Sequence, residues 1–138
     1  ADRRPIFRSS PAACLMSQTL HDAAADESID LIAWVIMPDH FHAIVAVPPP
    51  RSLARFVQLV RGGFAREYNL ATASQGSVWQ GRYHERALRS DRELNAAIEY
   101  VHSNPVTAGI VASEAAYEWS SASEMLFAPH RPSCQAEA

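Results

Sequence analysis

A chain of 138 residues suits one domain with its own hydrophobic core, and no apolar run approaches the ~18 residues needed to cross a membrane. Two cysteines, Cys14 and Cys134, make neither a disulfide framework nor a zinc-ligand pair, and no apolar stretch follows Ala1-Asp2-Arg3-Arg4-Pro5 as a secretory signal would, so a reducing cytoplasm is the expected compartment. The net charge of −3 hides a segregation: every basic residue is Arg, and between Arg51 and Arg92 eight arginines stand against three acids. A basic middle between acidic ends fits a phosphate-contacting face or a solvated, salt-bridged surface, and charge alone does not choose.

Residues 10–26 read as a helix, with Ser10-Pro11 as cap and first-turn proline before an Ala-rich body. Leu31 to Met37 is a short strand of β-formers, Pro38-Asp39 turns the chain, and His40 to Val47 is the return strand, stopped by Pro48-Pro49-Pro50. Alternation puts His40, His42, Ile44 and Ala46 on one face and Phe41, Ala43, Val45 and Val47 on the other. Two imidazoles about 6–7 Å apart along one strand face can chelate a metal ion, although a His-apolar-His triplet also arises by chance.

The next helix runs from the N-cap Ser52 to about Asn69, with Leu53, Phe56, Val57, Val60, Phe64 and Tyr68 as its buried stripe. Arg51, Arg55, Gln58, Gly62 and Arg66 fall opposite. Gly62-Gly63 weakens a helix by roughly 1 kcal/mol per glycine, so something should approach closely there, another helix or a nucleic-acid backbone. Residues 70–77 form a polar loop, and Val78 to Leu88 reads as a strand kinked at Gln80-Gly81.

Ser90-Asp91-Arg92-Glu93 is a capping box opening a helix that Pro105 should close at about Asn104. Leu94, Ala97, Ile98 and Val101 point inward, while Tyr100 and Asn104, one turn apart, share a face at the edge of that stripe. From there a side chain reaches a cleft or simply packs amphipathically. His102 should face solvent, and His84 should lie at the surface, in the core or along the cleft. Residues 128–138 are an expected disordered tail.

Several blocks carry a resemblance: Ala33-Trp34-Val35-Ile36-Met37-Pro38-Asp39-His40-Phe41-His42, Val78-Trp79-Gln80-Gly81-Arg82-Tyr83-His84, Glu99 through Val111, and Tyr117-Glu118-Trp119-Ser120-Ser121. In this order and spacing they resemble the HUH single-tyrosine transposases, specifically the REP-associated tyrosine transposases, over about residues 3–121. The resemblance implies an α+β fold, ferredoxin-like, with a central antiparallel sheet flanked by helices and a domain spanning residues 1–127. The first strand of that pattern, ahead of Arg3-Arg4-Pro5-Ile6-Phe7, is missing or reduced to a stub. His40 and His42 match the paired histidines that bind a divalent metal, Tyr100 matches the nucleophile, and Asn104 matches the polar residue that completes the metal site.

The implied reaction is cleavage and transfer of single-stranded DNA at hairpin-forming palindromic repeats through a 5′-phosphotyrosine link, by a monomer or a homodimer. A mixed imidazole and amide site suits Mn²⁺, and Mg²⁺ can enter with the phosphate bound. Arg55, Arg66, Arg82 and Arg86 are the candidate phosphate contacts, and Trp79 and Tyr83 are candidates to stack on bases, with a place in the core the commoner fate of a Trp at such a position. Tyr68 and Tyr117 are weaker nucleophile candidates. Two rival readings remain open: a non-catalytic regulator that binds hairpin DNA, and a water-using phosphodiesterase in which Tyr100 is structural.

Overall fold

The computed structural model describes residues 4–79 and 81–126. Its elements run α1 (Ser10–Asp26), β1 (Asp30–Met37), β2 (His40–Ala46), α2 (Leu53–Thr72), α3 (Asp91–Thr107) and a short α4 (Ser121–Leu126), with 3-10 turns at Ile6–Arg8 and Glu114–Ala116. The class is α+β, and the sheet among the described residues is the antiparallel pair β1–β2. None of the described helices is long and apolar enough to cross a membrane.

The hairpin is a two-layer divider. Residues 33–37 are all buried, and alternation sends Trp34 and Ile36 into a core with α1 and α2 while Ala33, Val35 and Met37 enter a second core with α3. Met37 pairs with His40 and Val35 with His42 across the two-residue turn Pro38-Asp39. A register shift between Leu31 and Ala33 leaves Ile32 as the extra residue of a β-bulge. The outer edge of β1 is closed by the C-terminal segment: Ile36 N–H donates to Trp119 C=O at 2.8 Å, and Val35 bridges Ser120.

Ser9 rather than Ser10 caps α1, its Oγ accepting Ala12 N–H at 3.4 Å. The α2 stripe buries Phe56, Val60 and Phe64, and each fully buried aromatic or aliphatic side chain of this kind contributes about 1.5–3 kcal/mol. A methyl group placed at Gly63 would make only ordinary contact with Thr19 Cγ2 of α1, at 3.6 Å, and one at Gly62 would meet nothing within 4 Å, so among the described residues nothing makes the close approach expected at Gly62-Gly63. Trp79 is a core residue, its ring 5.6 Å from Phe41, 5.7 Å from Phe64 and 6.1 Å from Phe7.

Four further expectations are corrected. Val78 to Leu88 forms no strand among the described residues: the Trp79 indole N–H donates to Arg61 C=O (2.7 Å), Arg61 Nη2 donates to Gly81 C=O (2.9 Å), and these bonds tie the segment to α2 instead of to a ladder. Pro105 does not close α3, which continues to Thr107. A proline inside a helix forgoes one backbone bond, and here its ring is fully buried. The stop comes at Gly109 (φ +77°), where Ile110 N–H reaches Pro105 C=O and Gly109 N–H reaches Val106 C=O, both at 2.9 Å, in a Schellman arrangement.

His102 is buried rather than solvent-facing, because α3 is covered on that side by the segment leading into α4. Cys14 is buried on α1 and disulfide-bonded, against the expectation drawn from the cysteine count. Cys134 and the expected tail at 128–138 lie outside the described residues. At the other end, Ile6–Arg8 is a 3-10 turn whose Phe7 N–H donates to Pro38 C=O at 2.9 Å, so no strand precedes α1 among the described residues.

Candidate active site

The alternation of β2 decides where its histidines point. Phe41 packs into the α1–α2 core, and His40 and His42 therefore emerge on the α3 side. Their ring centroids are 4.8 Å apart at an interplanar angle of 85°. The Tyr100 ring approaches from α3, 5.7 Å from the His42 centroid at 77°, and Tyr100 remains 61% exposed, so an outside molecule can reach its hydroxyl.

Asp39 Oδ1 accepts a bond from His40 Nδ1 at 2.6 Å. With the carboxylate ionised, that bond places the proton of a neutral imidazole on Nδ1 and leaves the lone pair on Nε2 for a ligand. A carboxylate behind a histidine is the arrangement that orients metal-binding imidazoles. No third His, Cys, Asp or Glu joins the pair in a metal-sized cluster among the described residues. The donor set thus fits a cation held by two imidazoles, with its remaining positions open to amide or phosphate oxygens.

These rings stand on the wall of an open groove of about 1070 Å³ bounded by β2, α2, the irregular segment after Val78 and the start of α3. Arg82 and Arg86 border the groove with His40, His42 and Tyr100, and so do Arg61, Tyr83, His84 and Arg89. Arg55 and Arg66 do not line it. Arg66 instead faces Glu67 at 3.6 Å in an exposed pair of the sort that adds little stability. Arg61 is engaged within the fold, its guanidinium 5.2 Å above the Trp79 ring. Asn104, one turn after Tyr100, is half-buried and does not line the groove.

The side of α3 away from the groove holds residues whose part was not legible from spacing. His102 Nε2 lies 2.8 Å from Ser121 Oγ, and burial pushes the His102 pKa down while the nearby Glu114 carboxylate opposes that shift. Ser121 Oγ also accepts Trp34 N–H (2.9 Å) and donates to Trp34 C=O (3.2 Å). Tyr117 donates its hydroxyl to Ile36 C=O at 2.6 Å, and burial holds its pKa above the ordinary phenol value. A buried donor to the sheet is no nucleophile, in keeping with the weaker candidacy of Tyr117 on sequence grounds. The signal that could have found these groups is the Tyr117-to-Ser121 block, whose polar side chains have no helical or strand period.

Comparison with known proteins adds three findings. A family model described as "Transposase IS200 like" matches residues 1–104. Two curated relatives are similar: a REP-associated tyrosine transposase of Escherichia coli K12 (26% identical over 87 residues, 62% of this chain and 50% of that one) and the ISDra2 transposase TnpA of Deinococcus radiodurans (27% over 74 residues, 49% and 53%). This chain therefore spans about half the length of the curated relatives it matches. A solved structure of a REP-associated tyrosine transposase bound to a REP hairpin superposes with a TM-score of 0.68 at 21% identity, over 82% of this chain and 68% of the other. That likeness shows the fold, and the two REP-associated matches agree with the resemblance drawn from the motif blocks.

Proposed function

The chain belongs to the IS200-like transposase family, and on that premise we propose that it cuts and rejoins single-stranded DNA beside hairpin-forming repeats, with Tyr100 as the nucleophile. The observation that carries the proposal is the convergence of three rings. His40, His42 and Tyr100 come from two elements and meet on the wall of a groove that Arg82 and Arg86 also border.

In this reading Tyr100 Oη gives up its proton to solvent and attacks the scissile phosphorus, the bond from phosphorus to the 3′ oxygen breaks, and that oxygen takes up a proton from solvent and leaves as a 3′-hydroxyl. The new bond is a 5′-phosphotyrosine. Because one phosphoester replaces another, the step runs backwards when a second 3′-hydroxyl enters, and no nucleotide is consumed. His40 and His42 would hold a divalent cation, Mn²⁺ or Mg²⁺, which when bound neutralises phosphate charge and polarises the phosphorus. Asp39 orients His40 for that duty, and the amide of Asn104 is a further ligand candidate one turn beyond the nucleophile.

Arg82 and Arg86 supply phosphate contacts along the strand, sequence-independent and sensitive to salt. Exposed Tyr83 offers a face on which a base can stack. The substrate strand is single because its reacting phosphate has to bend into the groove, and the hairpin beside it supplies the recognised shape. The REP hairpin bound by the protein of the superposed structure supports a palindromic repeat as the partner here.

The test is incubation with end-labelled hairpin DNA carrying single-stranded flanks, with Mn²⁺ or Mg²⁺. A covalent protein–DNA adduct that disappears in Tyr100→Phe is the expected result. Tight hairpin binding without cleavage would instead favour a regulator. Cleavage that survives Tyr100→Phe would favour attack by water.

A further inference from the structure

The reaction above requires a phenol to be held against a histidine pair that sits on another element. The apolar packing of α3 does not by itself set that distance: Val101 and Pro105 are its buried apolar anchors, and Leu94, Ala97 and Ile98 are only partly buried. A helix seated on such side chains can slide or roll by fractions of an ångström, and reacting atoms displaced by about 1 Å can lose 10²-fold in rate.

One polar contact locks the seat. His102 lies two residues beyond Tyr100, about 200° around the helix, so it leaves α3 on the side facing away from the groove. Its Nε2 meets Ser121 Oγ at 2.8 Å, and both residues are buried, at 7% and 4% exposure. Ser121 in turn grips both sides of one peptide position on β1, accepting Trp34 N–H and donating to Trp34 C=O. Since the serine has one hydrogen to give, His102 Nε2 completes the set as the donor to Ser121 Oγ. Trp34 is adjacent to Val35, the residue in register with His42. The path therefore runs from the helix of Tyr100, through His102 and Ser121, to the backbone beside the partner of His42.

We propose that His102, acting through Ser121, is a positioning residue that holds the Tyr100 ring beside His42. It touches neither substrate nor cation. Its effect is to make the separation of nucleophile and histidine pair a matter of hydrogen-bond length instead of apolar fit. The inference rests on the reading of Tyr100 as the nucleophile, so its test includes one arm that needs no catalysis.

The experiment compares the wild type with His102→Leu, Ser121→Ala, the double variant and His102→Gln, whose amide offers a donor where Nε2 lies. Three readouts are taken well below each melting temperature: single-turnover adduct formation at saturating hairpin DNA, hairpin affinity, and the NOE between the Tyr100 and His42 rings. The expected result is an adduct rate lowered about tenfold or more in His102→Leu and Ser121→Ala, with affinity within about twofold. The double variant should be no slower than the slower single one, as two ends of one link behave. His102→Gln should restore most of the rate and the NOE.

Folded His102→Leu and Ser121→Ala proteins that keep the NOE and the wild-type rate, or a His102→Gln variant as slow as His102→Leu, would overturn the proposal. If the wild type forms no adduct dependent on Tyr100, the nucleophile reading fails, and the NOE still decides whether His102 positions the ring.

Discussion

Replacing Tyr117 by Phe removes one oxygen atom from the interior and leaves the ring in place. The hydroxyl donates to Ile36 C=O at 2.6 Å, and Ile36 is fully buried. Ile36 N–H points to Trp119, so the carbonyl on the same outward edge has Tyr117 as its hydrogen-bond donor and no ladder bond to β2. A hydrogen bond of this kind contributes about 0.5–1.5 kcal/mol net, and a buried carbonyl stripped of its donor costs about 1–3 kcal/mol, so the variant should lose about 2 kcal/mol. For a domain of this size that is a fall in melting temperature of roughly 6–8 °C. In urea the midpoint should drop by about 1 M with an unchanged slope.

Titration provides an independent check on the same bond. Burial raises the Tyr117 pKa above 10.0, so the native state favours the neutral phenol while the unfolded chain ionises at the ordinary value. The stabilisation is fully present below pH 10 and is lost as the pH rises through the folded value. The stability gap between wild type and Tyr117→Phe should therefore narrow from about pH 10 upwards, because the variant lacks this one phenol. A gap under about 0.5 kcal/mol at neutral pH, or one that stays constant into alkali, would refute the bond as described.

Two further outcomes follow from the groove. Arg82→Gln with Arg86→Gln should weaken hairpin binding for all sequences alike and flatten the log K against log salt slope by about one for each phosphate no longer neutralised, measured by fluorescence anisotropy between low and moderate salt. Equal slopes would remove these arginines from the DNA path. Asp39→Asn withdraws the carboxylate from His40 Nδ1, and calorimetric titration with Mn²⁺ should show affinity lowered by about 10–100-fold. An unchanged isotherm would mean that His40 needs no such orientation.

The parts of the fold legible in the sequence are those written as periods. The α2 stripe of Phe56, Val60 and Phe64, and the opposed faces of His40 and Phe41, follow from spacings of 3.6 and 2 residues, and both are found. Val78 to Leu88 misled because β-propensity describes a side chain that suits a sheet and says nothing about whether a neighbouring strand is there to pair. Pro105 misled in the other direction: a locally unfavourable residue is tolerated inside α3 because its ring is buried and Gly109 provides the stop.

The candidate site was legible as far as its own motifs reach. His40, His42 and Tyr100 meet, but the arginines divide by location, with Arg82 and Arg86 at the groove and Arg55 and Arg66 elsewhere. Surface charge carries no period finer than its helix, so the sequence could not sort them. His102 escaped for a related reason. Its partner, Ser121, is 19 residues away, and Ser121 bonds to Trp34 across 87. Polar contacts at such separations leave no pattern along the chain.

The closure of β1 by Trp119, Ser120 and Ser121 bears on how this fold can be divided. The stretch matched by the family model ends at residue 104, within α3, and contains both histidines and Tyr100. Yet Tyr117 and Ser121, which grip Ile36 and Trp34, lie beyond it. The recognisable motif and the cooperative unit therefore have different borders. A chimera assembled from two relatives at the end of the matched block would inherit the reactive groups of one parent and the clasp of the other. A join placed after residue 121 keeps nucleophile and clasp in the same hands.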